Sequence, residues 1–167
     1  MGSNLRAMYV ATSAQLGTSL IFVQQKSFAS NAVEFTGLSG SNQYICYISA
    51  TAVDATGVNI EINGDTTVGD YTEQSLSANA ATVASATANN NLALLVQTGT
   101  AAITLEIVRN EAGYATWKSQ LNQPASLMLI GGTKLVGTVT EITSFKLLKT
   151  SGTSVAGTAK LYKVPVV

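Results

Sequence analysis

The sequence predicts an all-β fold, and three features lead to that expectation. Short apolar runs alternate with polar residues at period two, the spacing of a strand with one buried face. Glycines punctuate these runs at Gly37, Gly40, Gly57, Gly64, Gly69, Gly99, Gly113, Gly131, Gly132, Gly137, Gly152 and Gly157, as turns between many short strands require. No capped segment of helical period reaches a useful length.

Residues 1–17 precede the regular pattern and form an N-terminal arm ahead of a sandwich domain over 18–167. The arm is either a flexible leader or a segment that docks on a neighbouring subunit. Leu5, Met8, Tyr9 and Val10 favour docking, because terminal segments stay mobile unless tied down. Strands are then expected over Ser19–Gln25, Ala32–Thr36 and Gln43–Ala50. Val58, Ile60 and Ile62 point one way and Asn59 and Glu61 the other, which gives a half-buried strand ending at the turn Asn63-Gly64-Asp65. Ser75–Asn91 is ambiguous: its alanines permit a helix, but Thr, Ser and Asn interrupt it. It is read as a long surface loop with room for one strand, and as a candidate contact loop.

Further strands follow over Leu92–Gln97, Ala102–Ile107, Tyr114–Leu121, Ser126–Ile130 and Ile142–Leu148. In the last strand Ala159, Leu161 and Lys163 alternate with Lys160, Tyr162 and Val164. Large apolar groups on both faces suit a central or interface-lining strand. This spacing of runs and turns describes a sandwich or barrel of one domain, since 167 residues hardly make two.

Composition narrows the function classes. Hydrophobic residues reach 46%, too many for a disordered chain. Charged residues reach only 11%, against ~25% in an average domain. Hydroxyl and amide groups take their place, and these are cheaper than charges to bury in an interface. The nine basic residues balance nine acids and are scattered, so no patch is expected to displace counterions from nucleic acid. Lys146, Lys149, Lys160 and Lys163 are read as a solvated face. The first six residues resemble no signal peptide, and no apolar run approaches the ~20 residues of a membrane helix. A soluble protein made in the cytoplasm is expected, with no membrane partner.

Catalytic groups are sparse. There is no histidine, which removes the commonest general base and metal ligand. The single thiol, Cys46, sits in an apolar run and is expected to be buried and inert. Gly131-Gly132-Thr133-Lys134 resembles a phosphate-cradling loop but lacks its earlier glycine. Asp65, Asp70 and Glu73 cluster and could ligate calcium, although their spacing fits an ordinary polar loop better. A pair of acids could serve a glycosidase, but no pair is singled out by its placement. No enzyme activity and no cofactor are therefore expected. Trp117, the sole tryptophan, is read as a core or intersubunit residue, with a carbohydrate platform as the alternative.

Several segments, taken in order, resemble a family of bacteriophage particle proteins. They are Ala32-Val33-Glu34-Phe35-Thr36-Gly37-Leu38, the Tyr44–Ile48 strand and the run from Asp54 and Gly57 into Ile60 and Ile62. Tyr114-Ala115-Thr116-Trp117 and Gly157-Thr158-Ala159-Lys160-Leu161-Tyr162 complete the set, which spans Ser19 to Val164. Lys163 departs from a common glycine, and the alanine-rich middle is shorter. The resemblance implies an antiparallel β-sandwich of jelly-roll type, frequently a homotrimer, mounted on phage heads or tails. The expected function is a virion structural protein, first a capsid decoration protein that binds the major capsid protein on the head surface. The alternative is a receptor- or glycan-binding module of a fibre. Leu5, Met8, Tyr9, Val10, Trp117 and Tyr162 are the expected partner-binding residues.

Overall fold

The computed structural model describes residues 19–28, 31–39, 42–52, 56–79, 82–88, 91–96, 99–123, 126–149 and 155–165. The arm over 1–17, with Leu5, Met8, Tyr9 and Val10, lies outside them. The described residues form twelve strands, one short 3-10 turn at Val68–Asp70 and no α-helix. In chain order these are β1 (Ile21–Ser27), β2 (Ala32–Thr36), β3 (Gln43–Ala52), β4 (Thr56–Ile62), β5 (Tyr71–Asn79) and β6 (Thr82–Ala88). Then come β7 (Leu92–Val96), β8 (Gly99–Arg109), β9 (Ala115–Gln123), β10 (Ser126–Lys134), β11 (Ser144–Lys149) and β12 (Val155–Lys163).

Two antiparallel sheets result. The large sheet has eight strands in the order β1-β12-β3-β8-β9-β10-β5-β6, and the small one has four in the order β2-β11-β4-β7. Alternation decides which residues meet between them. Tyr44, Cys46, Ile48 and Ala50 of β3 face inwards, as do Ile103, Leu105 and Ile107 of β8 and Leu161 of β12. Val33 and Phe35 of β2, Val58, Ile60 and Ile62 of β4, and Phe145 and Leu147 of β11 meet them from the small sheet. The Phe35 and Phe145 rings lie 5.0 Å apart at the centre of this layer. Each large side chain so buried contributes about 1.5–3 kcal/mol relative to exposure. Cys46 belongs to the same core, and burial lifts its thiol to about 12, so it stays protonated at neutral pH.

The loop expected over Ser75–Asn91 is instead part of a hairpin. β5 and β6 pair from Glu73↔Ala88 to Asn79↔Thr82, and β5 also pairs along its whole length with β10. A ladder on both sides of β5 overrides its weak propensity. The glycine pair Gly131-Gly132 lies inside β10, which runs four residues past the expected end at Ile130. Gly132 faces Trp117 across the ladder, and a Cβ there would sit 2.1 Å from the indole Cζ2. The absent side chain is thus what admits the tryptophan.

Candidate functional site

Among the described residues three lysine–acid pairs engage six of the eighteen charged side chains. Glu61 pairs with Lys146 at 3.6 Å and Glu106 with Lys118 at 3.5 Å, both across neighbouring strands. The third is the most enclosed. Lys134 meets Asp65, donates to the Val136 carbonyl and lies 5.6 Å from the centre of the Tyr71 ring. The Tyr71 hydroxyl donates to the Asp65 carbonyl and accepts from the Ile62 amide. Burial alone would raise the Asp65 carboxyl, but hydrogen bonds from Lys134 and Thr67 and the Lys134 charge pull it below its ordinary value. This network holds the loop before β5 in place and uses up Asp65.

The three acids considered for calcium are therefore dispersed. Asp65 is bound to Lys134, Asp70 lies in the 3-10 turn, and Glu73 turns inwards on β5 with 4% exposure. Burial pushes the Glu73 carboxyl upwards against a hydrogen bond from Ser75. Among the described residues no three His, Cys, Asp or Glu side chains converge on one point. A hollow of about 940 Å³ runs along β5 and β10 beside Gly131 and Gly132. Among the described residues that line it, Glu73 is the one carboxylate, so no pair of acids faces across it.

Trp117 is 3% exposed, inside the core. Its indole N–H donates to the Leu92 carbonyl of β7, and its ring meets Tyr71 edge-on at 5.9 Å. Of the two expected partner-binding residues among those described, Trp117 is buried within the single chain. Tyr162 is the exception.

Tyr162 lies on the outer face of the large sheet, between two companions that sequence reasoning passed over. Phe22 of β1 sits directly opposite it, and Tyr47 of β3 stands one row along. The Phe22 and Tyr47 rings meet Tyr162 edge-on, with centroids at 5.6 and 5.7 Å. Such contacts are worth about 0.5–1.5 kcal/mol each. Even so, Phe22 is 55% and Tyr47 46% exposed. The signal that could have found them is a large aromatic at a polar-face position: Tyr47 breaks the alternation of β3 as Tyr162 breaks that of β12.

Beside Tyr47 the sheet forms a shallow groove of about 300 Å³. Register builds it. Thr158, Ser49, Ala102 and Asn122 form one row across β12, β3, β8 and β9, and Lys160, Tyr47 and Thr104 form the next. Small Ser49 and Ala102 make the floor. Tyr47, Lys160 and Asn122 stand above it, and among the described residues neither Lys160 nor Asn122 has a hydrogen-bond or charge partner. The groove has hydrogen-bonding groups, one cation and an aromatic wall, but no nucleophile paired with a base, so it is equipped to bind. No family model and no curated protein matches the chain.

Proposed function

We propose that the chain is a bacteriophage virion structural protein with a jelly-roll sandwich, and foremost a capsid decoration protein seated on the outside of the head. The observation that carries this reading is strand order. With the hairpins β5–β6 and β9–β10 set aside, eight strands remain, and they are paired from the outside in. β1 pairs with β12, β2 with β11, β3 with β8 and β4 with β7. That nesting is what a long hairpin rolled over itself produces, and it supports the double Greek key of a jelly roll. The ordered resemblance to phage particle proteins points to the same architecture, which by itself fixes no function.

Attachment by surfaces rather than by catalysis fits the site. The aromatic cluster of Phe22, Tyr47 and Tyr162 offers uncovered apolar area beside a sheet edge, and the arm over 1–17 precedes that edge strand in the sequence. Leu5, Met8, Tyr9 and Val10 supply apolar groups for a neighbouring subunit, and self-association as a homotrimer completes the reading. Co-sedimentation with phage heads lacking the protein tests it. The intact chain should bind saturably, as a species of three times 17.3 kDa by light scattering. A truncation starting at Thr18 should show lower occupancy at limiting concentration. No binding to heads at any concentration refutes the decoration reading, and equal occupancy of the truncated chain refutes the role of the arm.

A further inference from the structure

We propose that the groove between Tyr47, Lys160 and Asn122 is a binding site for a carboxylated saccharide, such as a uronic-acid or sialic-acid unit of a surface polysaccharide. The inference rests on the groove and is independent of whether the protein sits on a head or a fibre.

Its dimensions suit a short stretch of polymer. A space of about 300 Å³ is at the small end of ligand pockets, which run ~300–1,000 Å³. It is open along the sheet, so a chain can enter and leave it without a terminus. The floor is made of Ser49 and Ala102, which let a ring approach the backbone. A pyranose presents an apolar C–H face and a rim of hydroxyls. Tyr47, nearly half exposed, supplies an aromatic surface for the first, and its edge contact with Tyr162 keeps the ring from collapsing onto the sheet. Asn122, Thr104 and Thr158 supply both donors and acceptors for the second.

Charge selects the class of sugar. Lys160 is the one charged side chain lining the groove. Glu106 on the adjacent β8 does not neutralise it, because that carboxylate is bound to Lys118 at 3.5 Å and to the Gln43 amide at 2.5 Å. An ammonium without a partner among the described residues, beside an aromatic and several hydroxyls, suits a ligand with one carboxylate beside a ring. A neutral sugar would leave that charge unused.

The test uses the full chain and an array of soluble oligosaccharides, with affinities of the retained ones measured by titration calorimetry. Sialylated and uronate-containing probes are each paired with a neutral probe of the same backbone, and a glutamate peptide of equal charge serves as the non-sugar control. Carboxylated probes should bind about tenfold more tightly than their neutral counterparts, the size of one charge-assisted contact. Tyr47→Ala should weaken all saccharides about tenfold. Lys160→Gln should abolish the preference for the carboxylate while neutral binding persists. Tyr114→Ala, an exposed tyrosine outside the groove, should change nothing. Unchanged melting temperatures of the Lys160 and Tyr114 variants show that the fold is intact. Three results each overturn the proposal: no carboxylated probe retained at millimolar concentration, equal affinity for the glutamate peptide, or full binding by the Lys160 variant with its preference kept.

Discussion

Gly132→Ala tests the packing of the large sheet most sharply. The new Cβ would lie 2.1 Å from Cζ2 and 2.5 Å from Cη2 of Trp117, and 2.5 Å from the Thr72 carbonyl oxygen. The indole cannot step aside freely: its N–H is engaged by Leu92, and Tyr71 stands at its edge. The Thr72 oxygen is backbone, in the strand paired with β10. Overpacking of this kind costs about 1–3 kcal/mol. In a protein of this length that lowers the melting temperature by about 3–10 °C. The neighbouring Gly131 is the control, since a Cβ there meets only the Trp117 carbonyl at 3.6 Å, an ordinary contact. Gly131→Ala should fall within about 0.5 kcal/mol of the parent. Urea unfolding followed by the fluorescence of Trp117, the sole tryptophan, reads both variants. In a Gly132→Ala, Trp117→Phe double mutant, followed by circular dichroism because the tryptophan is gone, the two costs should be less than additive, since the clash needs both side chains. Equal stability of the two alanine variants would refute the reasoning.

Two further outcomes follow from the buried charges. Lys134→Met should cost about 3 kcal/mol by leaving Asp65 enclosed without its cation, read as a drop in urea midpoint; replacing Asp65 with Asn in that variant should return part of it. Burial raises the Glu73 carboxyl above its ordinary value, so the folded chain holds that proton more tightly than the unfolded one, and this group's contribution falls as pH rises from 4.5. Glu73→Gln should therefore stabilise the protein at pH 7 by more than at pH 4.5, and an equal effect at both values in urea titrations would count against a desolvated carboxylate.

Strands were legible where their two faces differ in chemistry. β3, β8 and β11 alternate apolar and polar groups because one face meets the other sheet and the other meets water. The β5–β6 hairpin lacked that contrast. On β5 the inward positions after Tyr71 carry Glu73 and Ser75, since the small sheet ends at β7, which packs against β9 and β10. The inward face of β5 therefore carries polar residues as the outer face does, and the period-two signal fades. The candidate groove was legible only in part. Tyr162 could be singled out as an aromatic on a second face, but its companions Phe22 and Tyr47 are brought to it by ladder register across three strands. No pattern within a single strand encodes that register. Trp117 was singled out for its size, and size is also what places it inside.

Sheet edges constrain how the molecule can be partnered. β7 is the last strand of the small sheet and would expose a row of carbonyls that invites another chain to add a strand. Two side chains of the large sheet close it. Trp117 donates to the Leu92 carbonyl, and the Ser119 hydroxyl donates to the Ala93 carbonyl. Asn91 secures the approach, with its amide on the Ile60 carbonyl at 2.7 Å and Asn59 donating to its side-chain oxygen. Trp117, which fills the space at Gly132, therefore also occupies one carbonyl of this edge. β1, at the opposite end of the large sheet, has no such cover among the described residues, and it carries Phe22 into the aromatic cluster. An incoming strand at β1 and a ligand on the outer face would thus meet adjoining surfaces. Tyr162 touches both, because its ring contacts Phe22 on the edge side and Tyr47 on the groove side. The edge strand and the groove wall are thus joined by the ring contacts of one side chain.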